Sequence, residues 1–593
     1  MKLNQFKYMM LAGAALLLAG TGITSCDDAN EWEVDESHDR LFRTNSLAVE
    51  ADLYDAKVTF KRTTQTDYYV IEVSTDTLYD EVPMGGDNAL VYGEDKSIKS
   101  TPCTISGLQK DTKYYIRMKS MDLNGKESKW AYTEKRYFKT KKEQIVTNYV
   151  KTENSMTFTW SVGYTLTHVQ VFPHDAEGTM LTDQARRVDL TDEDKTNCSI
   201  TITDLTPLTR YTVYLMNNDD IKGYVEFQTN AGIPASNATI DITAENPLTQ
   251  YLINQYVETN AVSDANPHTI TLTFPAGQSW YVHKVNETID ETSGAVIGVD
   301  VLEEAASSLQ IPNGLSINFY GKGGGERPVF YLGGMGESGI STTGLKMPGK
   351  HEAITFYNLV VDGSFVGTEN VMSILDSGSG ESFNIGHFSF DDCELRNYQR
   401  CLVRLQSKNC LINTLKVNNC LVHDFGGNNY SFMQAKSGEG SIDKIAFTNS
   451  TFYNFLSPMK SFMQFENSTT IGTEGIEIAS CTLYGMIGEG QYFIDFKDTG
   501  GASVTVSNTI VSKTLAAAKG GRNKGNGGSF NIVDSYMTND WDQTKGNAIE
   551  GFNDYEGSAK SLFQDAANGN FGIKDVLFQG YNKAGDPRWF TAE

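Results

Sequence analysis

The sequence has few basic residues and no long apolar run in its main part. It contains 49 Lys and Arg against 74 Asp and Glu among 593 residues, which gives a formal net charge of −25. This acidic balance disfavours nucleic acid as a partner, and an acidic glycan would need a local basic patch or a bridging cation. After residue 25, no apolar stretch is long enough to predict a membrane span.

The eight cysteines have neither the spacing of a disulfide framework nor a CxxC metal-binding pair. Apart from Cys26 they form an odd, scattered set: Cys103, Cys198, Cys393, Cys401, Cys410, Cys420 and Cys481. Cys393, Cys420 and Cys481 occupy equivalent places in the repeat described next. We expect these three to stack in a core as small apolar residues.

A repeated phrase dominates the chain from about Ile354 to Met537. Its copies read ITFYNLVV, FSFDDCEL, LKVNNCLV, IAFTNSTF, IEIASCTL, VTVSNTIV and FNIVDSYM. One polar column, spaced by 26 to 34 residues, runs through them: Asn358, Asp392, Asn419, Asn449, Ser480, Asn508 and Asp534. Alternation on both sides of a small polar residue indicates strand, tight turn and strand. A period of this size predicts a stack of β-coils.

A third strand lies between the phrases, at 370–376, 400–406, 430–436, 460–466 and 491–497. Three strands per coil predict a right-handed parallel β-helix. With its Asn-bearing turns, the pattern resembles the pectate-lyase-like β-helix superfamily and its asparagine ladder. The resemblance implies that the sheet made by the third strands is the floor of a saccharide groove.

The alternation of the third strand predicts which side chains face solvent. We expect one set inside: Val403, Leu405, Met433, Ala435, Met463, Phe465, Ile494 and Phe496. The set between them is expected outside and forms the predicted ligand-binding site: Phe432, Phe462, Phe493, Arg404, Gln434, Gln464, Asp495, Lys436 and Lys497. The Phe file would stack on sugar rings, and the polar file would bind hydroxyls or carboxylates. The alternative is that loops cover the Phe file, because an exposed aromatic file usually needs a partner.

Catalysis at this face has less support. A pectate lyase needs carboxylates converging on calcium beside an Arg or Lys base, but the acids are scattered and Arg-x-Pro-x-x-Arg is absent. A pectin methylesterase uses Gln donors beside two Asp and one Arg; the file contains such residue types, yet that family's Gln-Asp dipeptide is missing. A glycosidase needs two close carboxylates, and no adjacent pair stands out. We predict no catalytic residue, metal site or cofactor, with calcium implied only for a lyase.

The first 25 residues form a segment separate from the fold. Lys2 and Lys7 precede a short apolar stretch, and Cys26 follows it directly. The arrangement resembles a lipoprotein signal peptide, which implies a lipidated Cys26, an outer-membrane anchor and a cell-surface location. Residues 26–39 are acidic and are interpreted as a tether. They resemble the surface-export signal of lipoproteins in Gram-negative glycan-utilisation systems.

Two segments with longer alternating strands, 40–142 and 143–231, precede the β-helix. In each, a Leu lies six residues before a Tyr: Leu108 and Tyr114 in the first, Leu205 and Tyr211 in the second. This spacing resembles the tyrosine corner of fibronectin type III sandwiches. The resemblance implies two spacer domains.

The β-helix is predicted over 232–549 and a closing segment over 550–593. Within them, 301–310 is predicted to be a short helix and the glycine-rich 519–529 a loop. Trp589 and Phe590 are expected to cover the last coil, because an open solenoid end exposes unpaired strand edges.

The predicted fold is all-β, with two fibronectin type III-like β-sandwiches followed by a right-handed parallel β-helix. This order, with the closing Gly-Asp-Pro-Arg-Trp at 585–589, resembles a group of surface lipoproteins from glycan-utilisation loci, mostly of unknown function. Our main hypothesis is a non-catalytic, cell-surface lipoprotein that binds a pectin-like or other plant or host glycan. Its partners would be a polysaccharide, the outer membrane and, as a further potential partner, a glycan-import complex. The alternatives are a polysaccharide lyase or pectin esterase acting on uronate glycans, and a structural or adhesive spacer.

Overall fold

The computed structural model describes most of the chain after residue 39. The described residues are 40–175, 178–294, 296–333, 343–364, 373–377, 382–407, 409–427, 429–435, 440–466, 470–497, 502–523 and 529–590. Cys26 and Lys436, two of the predicted site residues, lie outside these ranges. Within them, no helix has the length and apolar character needed to cross a membrane. One compact unit ends at Gln144 and takes in Ile221–Gly223, and a second contains the rest.

The first unit is a β-sandwich of two antiparallel sheets. Its three-stranded sheet has the order Leu47–Ala51, Asp55–Phe60, Cys103–Ser106, and its four-stranded sheet has the order Ala89–Tyr92, Tyr68–Ser74, Lys113–Met121, Ala131–Lys139. Three plus four strands in this order is the fibronectin type III arrangement. The Tyr114 hydroxyl accepts a hydrogen bond from the backbone N–H of Gln109 at 3.0 Å, which confirms the predicted tyrosine corner.

The second sandwich repeats this topology and belongs to the second unit. Its sheets have the orders Ser199–Ile202, Met156–Trp160, Val146–Lys151 and Arg186–Asp189, His168–Pro173, Arg210–Asn217, Asp220–Gln228. The Tyr211 hydroxyl accepts from the backbone N–H of Thr206 at 2.9 Å, so this corner is also confirmed. A short helix, Asp192–Asn197, begins at a capping box on Thr191.

The β-helix consists of three parallel sheets, which we call A, B and C. Sheet A contains Ala238–Asp241, His268–Phe274, Leu315–Gly321, Gly349–Tyr357, Phe383–Asp391, Cys410–Asn418, Ser441–Thr448, Thr470–Ala479, Val504–Ser507 and Phe530–Val533. Sheet B contains Ser279–Tyr281, Val329–Tyr331, Val360–Asp362, Glu394–Tyr398, Leu421–Phe425, Thr451–Tyr453, Thr482–Met486, Ile510–Thr514, Tyr536–Thr538 and Asn553–Tyr555. Sheet C contains Leu309–Gln310, Leu345–Lys346, Leu375–Asp376, Val403–Leu405, Met433–Ala435, Met463–Phe465, Tyr492–Phe496 and Lys519–Asn523.

Few elements lie outside these sheets. The α-helix Gln250–Thr259 begins at Thr249, whose hydroxyl accepts from the backbone N–H of Leu252 at 3.0 Å. An antiparallel ribbon joins His283–Ile289 to Val296–Ala306. The helix predicted for 301–310 is therefore wrong, because 301–306 pair with the other strand of the ribbon. The last strand of sheet B is followed by the helix Ala559–Leu562 and by a hairpin of Phe563–Asp565 and Asn570–Ile573. Two short 3-10 helices, Ala566–Asn568 and Pro587–Trp589, also lie in this region, and a third, Thr182–Gln184, lies in the second sandwich.

The polar column forms the corner between sheets A and B. All seven members have left-handed backbone, with φ between 44° and 53°. Asn and Asp tolerate this conformation better than other side chains that carry a Cβ. The left-handed backbone of the corner therefore explains why the repeat has a small polar residue at this position. The next residue in each coil points into the core, and Cys393, Cys420 and Cys481 are buried there as free thiols, as expected.

The predicted outward orientation of Phe432, Phe462 and Phe493 is wrong. They are at most 1% exposed and stack on one another, with ring centroids 5.3 and 5.5 Å apart. Phe432 and Phe462 lie in a bend directly before their strands, so the Phe and the first strand residue both enter the core. Alternation holds only within an extended strand. The predicted inner set is buried as expected: Val403, Leu405, Met433, Ala435, Met463, Phe465, Ile494 and Phe496.

The chain end forms what we call the strap, residues 585–590, along the side of the β-helix. The backbone N–H of Gly585 donates to the Asn508 carbonyl at 2.8 Å, and Trp589 Nε1 donates to Thr451 Oγ1 at 2.7 Å. Thr451 lies three coils before Tyr536 in sheet B, so Trp589 does not cover the last coil and that prediction is wrong. The β-helix also extends to Tyr555, beyond the expected boundary at 549.

Candidate functional site

Polar side chains form a continuous ladder across six coils of sheet C. The strand register places them side by side in the order Asp376, Arg404, Gln434, Gln464, Asp495 and Arg522. The side chains between them along each strand enter the core, so the ladder lies on the outer face. At about 4.8 Å per coil it extends about 24 Å.

The ladder is held by hydrogen bonds between neighbouring coils. Arg404 Nη1 lies 3.2 Å from Asp376 Oδ2, and Gln434 Nε2 donates to Gln464 Oε1 at 3.3 Å. Arg522 binds both oxygens of Asp495, with Nε to Oδ1 at 2.6 Å and Nη2 to Oδ2 at 2.8 Å. A bidentate pair of this kind fixes both side chains in one plane.

The ladder is more buried than an ordinary sheet surface. Gln434 is 2% exposed, Asp495 1% and Arg404 9%. Burial raises the pKa of the Asp376 carboxyl, against the opposing effects of Gln406 and Arg404. Arg404 Nε and Gln434 Oε1 are buried without a hydrogen-bond partner in the part of the chain that the structure describes. Leaving each such atom buried without a hydrogen bond lowers the stability of the fold by about 1–3 kcal/mol.

The C-terminal edge of this face is accessible and basic. Arg522 lies 4.6 Å and Lys519 4.9 Å from the centre of the half-buried Tyr492 ring. The Lys497 side chain is 44% exposed, and its Nζ lies 3.7 Å from Glu466 Oε1. Described cations exceed acids on the face, with Arg400, Arg404, Lys497, Lys519 and Arg522 against Asp376, Glu466 and Asp495. The described part of the face is thus locally positive on a chain of net charge −25.

The structure brings together part of the predicted site. Arg404, Gln434, Gln464 and Asp495 are consecutive in the ladder, and Lys497 lies at its edge. The three Phe residues belong to the core instead. Sequence reasoning missed Arg522, because the glycine-rich 519–529 was interpreted as a loop, whereas Lys519–Asn523 is a strand of sheet C.

The geometry of the ladder is poorly suited to hydrolysis. Its two carboxylates, Asp376 and Asp495, are four coils apart, about 19 Å at the usual strand spacing, whereas glycosidases need about 5–9.5 Å. Each carboxylate is also engaged by an arginine. In the described residues, no group of three His, Cys, Asp or Glu side chains is placed to hold a metal.

A second polar cluster surrounds His423 on sheet B. Its Nδ1 lies 2.6 Å from Asp424 Oδ2 and its Nε2 3.3 Å from Glu394 Oε1. Burial lowers the pKa of the ring, but the two carboxylates outweigh it and raise this pKa above its usual value. Burial likewise raises the pKa of Glu394, but bonds from His423 and Arg396 lower it to about 2. The cluster is therefore a network of ion pairs between coils.

Two segments of the β-helix match families defined by sequence. Residues 348–455 match a domain of unknown function (DUF4957), and residues 476–589 match another domain of unknown function (DUF5123). The second match ends within the strap, so the matched segment includes both the last coils and most of the strap. No curated protein matches the chain significantly.

Solved fibronectin type III structures are similar to parts of the chain. A two-domain segment of chicken tenascin is 16% identical and covers 31% of this chain and 99% of that chain, with a TM-score of 0.18. The FN1–FN3 domains of chicken CNTN1 are 13% identical and cover 32% of this chain and 68% of that chain, with a TM-score of 0.14. The assignment of the sandwiches rests on their own strand order and tyrosine corners. The protein is an all-β chain in which two fibronectin type III-like sandwiches precede a parallel β-helix, and two segments of that β-helix match domains of unknown function.

Proposed function

We propose that the protein is a non-catalytic, cell-surface lipoprotein that binds an acidic polysaccharide on the outer face of sheet C. The ladder carries the proposal, because it places arginine, glutamine and aspartate side chains side by side on successive coils of one face. Hydroxyls and carboxylates of a saccharide have the donors and acceptors that match these groups.

The charge of the face supports an acidic ligand. Arg522 is 21% exposed and lies beside the Tyr492 ring, with Lys497 and Lys519 nearby. Guanidinium and ammonium groups attract uronate carboxylates, and the rest of the acidic chain would repel them. The ladder repeats once per coil, so a linear polysaccharide along the β-helix would meet equivalent groups repeatedly.

One observation favours an esterase as the second candidate. Asp495, fixed by Arg522, lies beside Gln464, and Gln434 follows on the next coil. A carboxylate next to amide donors is the arrangement that an ester-cleaving site requires. However, both Asp495 oxygens are occupied by Arg522, and the described ladder has Gln464 and Arg522, not a second acid, on the adjacent coils. We therefore prefer binding to catalysis.

The cell-surface location rests on the sequence of residues 1–39, which lie outside the described structure. Lipidation at Cys26 would attach the chain to the membrane through residues that precede the first sandwich. Fractionation of cells expressing Cys26→Ala tests this part, since the variant should move from the membrane pellet to the soluble fraction. Retention in the pellet would contradict the anchor.

The ligand is tested by charge reversal at the accessible edge. Wild-type protein should be retarded in gels containing polygalacturonate, and Lys497→Glu with Lys519→Glu should weaken binding about tenfold, or ~1.4 kcal/mol. The control is Lys350→Glu with Lys444→Glu, two lysines on sheet A. Equal loss in the control, or no retardation of wild type by any acidic polysaccharide, would reject the site. Release of unsaturated sugars from polygalacturonate, or of methanol from methyl-esterified pectin, would favour an enzyme.

A further inference from the structure

Two adjoining polar cavities lie between the second sandwich and the β-helix, which belong to the same compact unit. They measure about 750 and 320 Å³, within the usual range for ligand pockets. Both are lined by Leu208 and Gln228 of the sandwich and by Asn418 and Asn419 of the β-helix. Neither cavity shares a residue with the ladder of sheet C.

The walls of the cavities are fixed to each other by direct contacts. The Tyr320 hydroxyl donates to the Ala231 carbonyl at 2.6 Å, and the backbone N–H of Gly324 donates to the Lys151 carbonyl at 3.1 Å. Lys151 Nζ lies 3.9 Å from Asp392 Oδ2. Burial lowers the pKa of Lys151, with Asp392 acting in the opposite direction. These bonds make the cavities part of a preformed site.

The β-helix wall is an array of oriented amides at successive coils. Asn449 Nδ2 donates to Asn418 Oδ1 at 3.1 Å, and Asn419 Nδ2 donates to Asp392 Oδ1 at 3.1 Å. Arg588 of the strap donates from Nη2 to Asn419 Oδ1, also at 3.1 Å. The amide groups are therefore held in place before any ligand arrives, which reduces the entropic cost of binding.

Leu208 is an unusual residue at the junction of the two cavities. Its φ is +52° and it is 63% exposed. A left-handed backbone costs a residue with a Cβ about 1–2 kcal/mol, and an exposed leucine gains little core burial in return. The backbone is held by the bond from its N–H to the Asn230 carbonyl (3.2 Å) and by Gln228 Nε2, which donates to the Leu208 carbonyl (2.9 Å). Asp111 has the same backbone, with φ +51°, at the equivalent place in the first sandwich, three residues before Tyr114. The conformation therefore belongs to the tyrosine-corner loop, and what distinguishes Leu208 is an exposed apolar side chain at the cavities.

The charged side chains that line the two cavities indicate which class of ligand they would bind. Cations and acids are balanced, with Lys151, Arg210, Lys416 and Arg588 against Asp175, Asp391, Asp392 and Asp586. Two of these acids are paired with cations of the lining: Asp391 with Lys416 at 2.9 Å and Asp392 with Lys151. An acidic glycan would meet no net attraction here. Hydroxyl groups, which both donate and accept, match an array of amides and carboxylates.

We propose that the two cavities form one site for a neutral oligosaccharide. The amides of Asn418, Asn419 and Gln228 bind its hydroxyls, and Leu208 packs against the apolar C–H face of a ring. The site is independent of the acidic polysaccharide proposed for sheet C, because the two share no residue and prefer different charge.

Leu208→Gly separates a binding role from a structural one. Glycine relieves the left-handed backbone, so the melting temperature should stay equal or rise, while affinity for a neutral hexasaccharide should fall about tenfold. The probes are cellohexaose, xylohexaose and mannohexaose, measured by isothermal titration calorimetry with the full chain. Gln228→Ala should weaken the same binding. Val162→Ala, at an 86% exposed apolar residue of the same sandwich, is the matched control.

The outcomes distinguish the two sites. Binding of one hexasaccharide that is lost in Leu208→Gly and Gln228→Ala, but kept in the control and in the double reversal of Lys497 and Lys519, supports the site. Failure of wild type to bind any of the three probes, or wild-type affinity in both cavity variants, overturns it. Competition by polygalacturonate for the same site would also overturn it.

Discussion

Two corners of the β-helix stack from coil to coil with different residue types, one polar and the other aromatic. The corner between sheets A and B places an Asn, Asp or Ser in left-handed backbone at seven successive coils, with side-chain bonds such as that from Asn449 to Asn418. The corner at the start of sheet C, with the first residues of its strands, places Phe432, Phe462 and Phe493 inside, as a stack of parallel rings. One corner is specified by backbone conformation, and the other by apolar volume. We therefore expect their substitutions to fail in different ways.

The largest expected effect is at the aromatic corner. Phe462→Ala should lower the free energy of unfolding of the β-helix by about 3–5 kcal/mol, because it removes the central ring of a buried stack. Urea denaturation followed by far-ultraviolet circular dichroism measures this loss. Phe42→Ala, at a residue 73% exposed, is the control and should change stability by less than about 0.5 kcal/mol. A loss below about 1 kcal/mol for Phe462→Ala would mean that the ring is not in the core.

The polar corner should respond to backbone conformation more than to volume. Asn449→Leu should cost about 1–2 kcal/mol, since leucine is strained at φ 49°. Asn449→Gly should cost less, because glycine adopts this φ freely and loses only the bond to Asn418. Comparing the two melting temperatures tests the cause. Equal losses would show that the side-chain bond, not the left-handed backbone, is what the corner requires.

The smallest expected effect is at the His423 cluster, which follows the polar corner on sheet B and adds an ion pair between coils. Folding raises the pKa of His423 above its usual value of about 6.5. The charged ring therefore stabilises the folded protein fully at pH values below about 6.5. This stabilisation is lost as the pH rises through the raised pKa of the folded state. Glu394, with a pKa of about 2, remains ionised throughout that range.

His423→Gln should therefore lower stability at pH 5.5 by about 1 kcal/mol or less and have a smaller effect at pH 8.5. Thermal unfolding at the two pH values measures the difference, and His387→Gln, at an exposed histidine, is the control. An effect that grows with pH would contradict the proposed charge on the ring.

The same two corners explain what could be predicted from the sequence. Left-handed backbone restricts the residue type at each coil, so the polar column and its period were visible, and with them the β-helix. The tyrosine corners were visible for a similar reason, since Tyr114 and Tyr211 occupy a fixed place in their strands. The Phe corner gave no such signal, because a bend before a three-residue strand breaks the alternation without requiring a special residue.

The missed parts of the site have related causes. Arg522 lies in a strand whose glycines are typical of loops, and its place beside Asp495 depends on strand pairing between coils. The cavities at Leu208 depend on contacts between residues far apart in the chain, such as Tyr320 with Ala231. Sequence periodicity predicts which residues are neighbours within a coil or between adjacent coils. It does not predict contacts between residues that lie far apart in the chain and outside the repeat.

The strap also affects how the β-helix comes apart. A solenoid has contacts only between adjacent coils, so coils can detach one by one from an end. The hydrogen bonds from Thr451 to Asp586 and from Arg588 to Asn419 close loops of 135 and 169 residues across the last coils. Detaching any coil within these loops first requires release of the strap. The C-terminal half should therefore open in a single cooperative event, and it can reach its final stability only after residues 585–589 have been synthesised.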